Sequence, residues 1–291
     1  MRWPCENLIV NAVKYVNSFA ADYNIGQRGA KYIEISPPNP QWRLTMRSCG
    51  LTATVFALLF VGAVHADDAK DILDMAVKAQ GGAGNAAKLQ NTFLKGKSTI
   101  TDGGNGLTLA FEISTQDLDK AKMELEINSM FHLTVGLNGD KSWRYDPRLN
   151  KTEEGKKGET ALVRQFLMTI RAAASPASIS GKELQLAHGG EGKVGDAEAV
   201  ILRISQKEVP DISLFYDKKT GIPLKAETRL KEPNSGMEAN FEFFFSDFKD
   251  IDGIRHFAKF KFAREGKDIA EIELTDFKFD QKFEASTFEK P

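Results

Sequence analysis

The sequence has few cysteines and almost no net charge, and each shortage excludes a class of protein. Its 291 residues include two cysteines, Cys5 and Cys49, and 39 basic against 40 acidic side chains, a formal net charge of −1. Two cysteines exclude a disulfide-rich scaffold and a zinc site built from cysteine. A charge near zero leaves no general electrostatic attraction to nucleic acid. No apolar run reaches the roughly 18 residues that a transmembrane helix needs.

Groups that carry enzyme or metal chemistry are also scarce beyond residue 66. The three histidines there, His132, His188 and His256, do not share the spacing of metal ligands. No G-x-S-x-G nucleophile motif occurs, and Ser246-x-x-Lys249 matches a nucleophile pattern only at chance level. We therefore expect no cofactor, no metal site and no enzymatic activity. His188 is expected in a glycine-rich loop and His256 on an otherwise apolar face, and each is interpreted as a surface histidine or a core histidine with its hydrogen bonds satisfied.

A segment near residue 50 has the pattern of an export signal. A short basic start at Met46 precedes the apolar run Leu51 to Val64, and small residues stand at Val64 and Ala66. This pattern predicts a signal peptide over 46–66, cleaved after Ala66. Residues 1–45 are interpreted as a mis-annotated or disordered extension. Residues 67–291 are expected to form a single domain without cysteine, which suits an oxidising compartment.

The hydrophobic period predicts two helices and about ten antiparallel strands. A helix is expected over 67–89, interrupted at Gly81-Gly82, and a second over Glu159–Ala174. From residue 91 onwards, apolar and polar residues alternate, as in Leu107–Ile113, and short glycine turns separate the runs. Near Thr275 the alternation changes phase, which indicates a bulge. The fold class is therefore mainly β with helices (α+β), built on an antiparallel sheet.

The area of the apolar face indicates that this sheet is curved. About ten strands some 4.8 Å apart and about 27 Å long present roughly 1,300 Å² of apolar face. Two helices about 10 Å wide and 20 Å long cover only about 400 Å². The sheet is thus expected to curl into an incomplete β-barrel, a half-barrel, with the N-terminal helix and the mid-chain helix as its lid. Alternation alone does not decide whether phenylalanines fill the interior or line a hollow.

If the half-barrel is hollow, the inward-facing side chains should bind an apolar ligand. The predicted ligand-binding residues are Phe111, Met123, Leu125, Leu133, Leu224, Phe241, Phe243, Phe245, Phe260 and Phe262. The second helix should contribute one apolar stripe to the lid. The predicted lid residues are Val163, Phe166, Leu167 and Ile170.

Three segments resemble one bacterial family. The segment Leu137-Asn138-Gly139-Asp140-Lys141-Ser142-Trp143-Arg144-Tyr145-Asp146-Pro147 resembles a hairpin of the periplasmic lipoprotein carriers, the LolA/LolB-like superfamily. Residues 214–224 and 244–254 resemble later strands of the same group. The resemblance implies a periplasmic half-barrel with a helical lid, whose hollow receives acyl chains of a lipid or lipoprotein. It also implies an inner-membrane donor protein, an outer-membrane acceptor protein and a monomeric carrier.

One position departs from the family pattern. Carriers of this family have a Pro-x-x-Phe-Arg strand whose arginine helps to hold the lid, and the stretch Asp119–Met123 stands in its place here. Lys122 is the candidate for the lid lock, although a lysine lacks the planar multi-donor fork of a guanidinium. The sequence therefore supports a non-enzymatic carrier and leaves open an envelope sensor or protein-interaction module with a filled core.

Overall fold

The computed structural model describes residues 66–101, 106–127, 131–181, 184–207, 209–231 and 237–291. The predicted extension over 1–45 and the predicted signal peptide lie outside these residues, except that Ala66 begins the first helix. Among the described helices, none is both long enough and apolar enough to cross a membrane.

Thirteen antiparallel strands form one sheet in the described part of the chain. The strands are β1 (Asn91–Ile100), β2 (Leu107–Gln116), β3 (Lys120–Ile127), β4 (Phe131–Asn138), β5 (Lys141–Asp146), β6 (Lys151–Glu154), β7 (Gln185–Val194), β8 (Ala197–Gln206), β9 (Val209–Asp217), β10 (Pro223–Lys231), β11 (Glu238–Ile251), β12 (Ile254–Arg264) and β13 (Lys267–Lys278). Their order is β6-β5-β4-β3-β2-β1-β13-β12-β11-β10-β9-β8-β7, so two meanders join where β1 pairs with β13. Strands β6 and β7 stay at the two edges and the barrel is not closed.

The alternation in the sequence decides which face of each strand is buried. In β3, Leu125 and Ile127 are buried, whereas Glu124 and Glu126 are exposed on the opposite face. Successive strand residues point to opposite faces, so one face of the sheet becomes the core and the other meets solvent. The predicted α+β class and the half-barrel with helices are confirmed.

Two details of the sheet test the sequence pattern closely. The bulge expected near Thr275 is confirmed, because Lys95 pairs with Asp276 and Gly96 with Leu274, which leaves Thr275 as the extra residue. The glycine-rich loop expected around His188 is wrong, since His188 lies in β7. Glycines weaken the alternation there, and the register of β7 against β8 shifts just after His188.

Within the described ranges, three α-helices accompany the sheet: α1 (Ala66–Ala79), α2 (Ala83–Ala86) and α3 (Lys157–Ala174). Short 3₁₀ turns follow at Ala87–Leu89, Pro176–Ile179 and Ala285–Phe288. The predicted break at Gly81-Gly82 is confirmed, and Gly81 has a φ of 124°. A Cβ atom on Gly81 would lie 2.2 Å from the carbonyl oxygen of Gly253, so only glycine allows this approach.

The two long helices cover different parts of the inner face. Helix α1 packs on β7 and β8 through its buried side chains, among them Ile72 and Leu73. Helix α3 contacts β4 and β5 on one side and β9 and β10 on the other. It therefore crosses the open side of the half-barrel, and we call α3 the lid helix. It begins two residues before the predicted start and ends at Ala174 as predicted, directly before Ser175 and Pro176.

Candidate functional site

An apolar cavity of about 230 Å³ lies between the lid helix and the inner face of the sheet. Strands β1–β4 form one wall, and β11–β13 form the other. Among the described lining residues, the side chains with polar groups are Ser98, Thr115, Arg171 and His256. The cavity is therefore suited to an apolar guest, with few positions that could form a hydrogen bond.

Most of the residues predicted to face a hollow do line this cavity. Those from the sheet are Phe111, Met123, Leu125, Phe241, Phe260 and Phe262, and those from the lid are Val163, Phe166, Leu167 and Ile170. The structure thus brings these side chains together around one space. Their role in binding a ligand stays a prediction.

Two predicted phenylalanines lie in the packed core and do not line the cavity. Phe243 is fully buried, with its ring 4.8 Å from that of Phe166 and 5.2 Å from that of Phe262. Phe245 packs 4.6 Å from Phe257. Both have the inward parity, but neighbouring rings leave no open space beside them. Their role in binding a ligand stays a prediction.

Leu133 and Leu224 are also absent from the cavity wall. Leu133 is half-buried and packs against the core next to its strand partner Leu125. Leu224 falls at an irregularity of β10, where Pro223 pairs with Tyr216 but Lys225 pairs with Phe215. The extra residue interrupts the alternation on which the prediction for Leu224 depended.

Side-chain hydrogen bonds join the lid helix to strands on both sides of it, β9 and β10 on one side and β5 on the other. The amide nitrogen of Gln165 donates to the carbonyl oxygen of Pro210 at 2.8 Å and to the hydroxyl of Thr228 at 2.9 Å. On the side of β5, the hydroxyls of Thr160 and Ser142 lie 2.7 Å apart. The helix is thus held across the cavity, and a guest larger than the cavity must displace it.

Arg171 fastens the last turn of the lid helix to the sheet. Its Nε donates to the carbonyl oxygen of Asp117 at 3.1 Å, and its Nη2 donates to those of Leu89 at 2.7 Å and Gln90 at 3.2 Å. The side chain is 4% exposed. Burial lowers the pKa of Arg171 to about 10, so the guanidinium stays protonated at neutral pH.

Lys122, the residue expected to lock the lid, lies elsewhere. Its ammonium group pairs with Glu124 at 2.8 Å, and both side chains are on the outer face of β3. The anchoring contacts come instead from Arg171, which the sequence prediction omitted. The available signal was its position four residues after Leu167, which continues the apolar stripe of the helix.

His256 is a buried, neutral member of the cavity wall. It is 2% exposed, its Nδ1 lies 2.7 Å from the carbonyl oxygen of Phe257, and its ring is 5.3 Å from that of Phe277. Burial lowers the pKa of His256 to about 4, and the charge of Arg171 acts in the same direction. The apolar face expected from the sequence agrees with this placement.

The depressed pKa of His256 predicts a loss of stability in acid. Between about pH 4 and pH 6.5 the unfolded chain binds a proton that the folded chain does not, so stability rises with pH in this window. The full effect is about 3 kcal/mol. Urea unfolding of wild type and His256→Phe at pH 7 and pH 4 measures this effect. Relative to the variant, the wild-type free energy of unfolding should be lower at pH 4 than at pH 7 by about 3 kcal/mol. A difference independent of pH would contradict the assignment.

The described residues contain no group of three or more His, Cys, Asp or Glu side chains that could hold a metal ion. The four polar lining residues do not form such a group either. The geometry of the site therefore offers enclosure by apolar side chains and a buried guanidinium.

Comparisons with known proteins identify the fold. No protein-family model matches the chain, and no curated protein matches its sequence. Among solved structures, a LolA superfamily protein from Nitrosomonas europaea has a TM-score of 0.52 at 13% identity, covering 76% of this chain and 97% of its own. A domain assigned to outer membrane lipoprotein sorting from Vibrio parahaemolyticus has a TM-score of 0.50 at 12% identity, covering 77% and 97%. A DUF1329 family protein from Desulfovibrio piger has a TM-score of 0.50 at 17% identity, covering 76% and 97%.

The fold and the cavity define a half-barrel closed by a helical lid. The chain has the LolA-like fold that its sequence motifs indicate. At these identities the likeness concerns the fold and leaves the ligand of this chain to be argued from its own residues.

Proposed function

We propose that this protein is a non-enzymatic carrier that shelters an apolar chain of a lipid or lipoprotein beneath its lid helix. The observation that supports it most strongly is the cavity beneath the lid helix, with its almost wholly apolar wall. Burying one methylene group contributes about 0.8 kcal/mol, so a chain of about 16 carbons provides about 10 kcal/mol before the losses of ordering. No covalent chemistry is required for this function.

The size of the cavity suggests how a guest enters. At about 230 Å³ the cavity is smaller than the 300–1,000 Å³ of ordinary small-molecule pockets. In this state it suits a short apolar chain, and a longer or bulkier guest requires the lid helix to move away from the sheet. The contacts of Gln165, Thr160 and Arg171 are those that such a movement must break.

A cavity-filling variant tests the proposal. Met123 lines the cavity on β3, and Met123→Trp should fill the space and weaken binding of the neutral fluorophore N-phenyl-1-naphthylamine at least tenfold. Ala110→Trp is the matched control, because Ala110 is exposed on the outer face of β2. Fluorescence titration measures both. Equal affinity of the two variants, or a wild type that binds no probe, would overturn the carrier proposal.

The identity of the guest can be sought directly. Lipids extracted from protein purified out of a bacterial envelope fraction should appear by mass spectrometry in wild type and be depleted in Met123→Trp. We further propose that the carrier is a periplasmic monomer that receives its guest from an inner-membrane donor and passes it to an outer-membrane acceptor. Cell fractionation of the full chain tests the location, because the mature form should appear in the periplasmic fraction.

A further inference from the structure

The cavity has a charged side chain at one end and only a hydroxyl as its polar group at the other. Along β2 its lining runs from Leu109 to Thr115, a distance of about 20 Å at about 3.3 Å per residue. Thr115 pairs across the sheet with Thr92, and Arg171 Nη1 lies 3.5 Å from the hydroxyl of Thr92. Leu109 pairs with Ser98, whose hydroxyl is the polar group of the cavity wall at that end. A chain lying along β2 would therefore have one end at a guanidinium.

The charge of Arg171 is not balanced by a carboxylate ligand. Arg171 is the one charged side chain among the described lining residues, and its hydrogen bonds go to three carbonyl oxygens and one hydroxyl. The carbonyl bonds use Nε and Nη2, whereas Nη1 has a single long contact to Thr92. Asp117 adds only a longer-range attraction. Nη1 therefore keeps donor capacity on a residue that belongs to the cavity wall.

Such a guanidinium favours an anion over a neutral group. A buried charge loses its hydration, and an opposite charge with a direct hydrogen bond compensates this loss better than a neutral acceptor does. His256 at the same end is neutral at pH 7, so it adds no charge of its own beside Arg171. Arg171 is 4% exposed, so little of its surface is open to a guest, and a small headgroup suits it better than a bulky one.

We propose that the cavity takes a single acyl chain ending in a small anionic headgroup, a carboxylate, which binds Nη1 of Arg171 while the chain extends towards Leu109. This inference rests on the proposed carrier function and adds the chemical class and the orientation of the guest. It also gives Arg171 two tasks, since the same side chain fastens the lid helix and meets the headgroup.

Ligands of equal chain length test the headgroup on wild-type protein. Calorimetric titration at pH 8 would compare palmitate with hexadecan-1-ol, and palmitate is expected to bind at least tenfold more tightly. Equal binding of the two would overturn the headgroup inference and leave the carrier proposal intact, whereas binding of neither would overturn the carrier proposal. Hexadecyl phosphate tests whether the preferred headgroup is a phosphate and not a carboxylate. If it binds more tightly than palmitate, the carboxylate assignment is wrong.

Variants of one helix locate the effect at Arg171. In Arg171→Met the preference for palmitate over hexadecan-1-ol should vanish while hexadecan-1-ol still binds, and Arg171→Lys should keep part of the preference. Arg164→Met is the matched control, because Arg164 is a half-buried arginine of the same helix outside the cavity wall, and it should keep the full preference. A preference that persists in Arg171→Met would overturn the inference. If Arg171→Met does not fold, the headgroup inference is tested by Arg171→Lys and by the comparison of palmitate with hexadecan-1-ol on wild-type protein.

Discussion

An Arg171→Met protein is expected to have a free energy of unfolding about 3 kcal/mol lower than wild type. The substitution removes the donors that hold the carbonyl oxygens of Leu89, Gln90 and Asp117. Hydrogen bonds from a charged donor contribute more than neutral ones, and part of their sum is offset because a buried charge is also removed. Urea denaturation followed by circular dichroism measures the difference.

The same helix provides the control for this prediction. Arg164 is half-buried and has no hydrogen bond or ion pair to another described residue, so the free energy of unfolding of Arg164→Met should change by less than about 0.5 kcal/mol. Similar stability of the two variants would show that Arg171 does not anchor the lid. Hydrogen exchange gives a second measure, since loss of the anchor should speed exchange first in the last turn of the lid helix.

A Phe243→Ala protein should be destabilised by about 4 kcal/mol, the largest effect that we expect from one residue. Phe243 has no exposed surface and supports Phe166 of the lid helix and Phe262 of β12. Truncation leaves a void among rings that cannot collapse into it. Thermal and urea unfolding together measure the loss.

Phe244 is the matched control on the opposite face of the same strand. It is half-buried, with the ammonium of Lys225 lying 5.0 Å from its ring centre. Phe244→Ala should therefore reduce the free energy of unfolding by only about 1 kcal/mol. If both alanine variants lost the same stability, the assignment of inner and outer faces on β11 would be wrong.

The sequence predicts the inner face well because strand geometry leaves little freedom. Once a run such as 241–245 forms a strand, every second residue must share a face. The sequence does not predict which inward residues border empty space, because that depends on where the lid helix crosses the sheet. Phe241 borders the cavity and Phe243 does not, although they share one parity in one strand.

The alternation is weakest in strands that have glycine or polar residues on the inner face. Strand β1 carries Thr92, Gly96 and Ser98 at inward positions, so its alternation is weak. Gly96 is required there, since a Cβ atom would lie 2.5 Å from the carbonyl oxygen of Glu273. The backbone of β13 thus requires glycine at this position of β1, and β13 is far from β1 in the sequence.

The anchor of the lid was missed for a similar reason. A lysine on a strand was predicted from the family pattern, whereas the structure supplies an arginine from the helix itself. Arg171 stands where the apolar stripe would have another leucine, and its carbonyl partners come from distant segments. A charged residue within an apolar stripe is a local signal for such a role, but its partners can be found only in three dimensions.

The pairing of β1 with β13 has a consequence for how the protein is made. Each meander can assemble from neighbouring hairpins, but Lys95 and Thr275 meet across 180 residues of sequence, and such long-range closure is slow. The two cavity walls adjoin at this seam, through Leu94 and Ile100 on one strand and Ile272 and Leu274 on the other. The interior space between the two walls is therefore complete only when β1 has paired with β13. A guest of the proposed carrier would accordingly enter the folded protein.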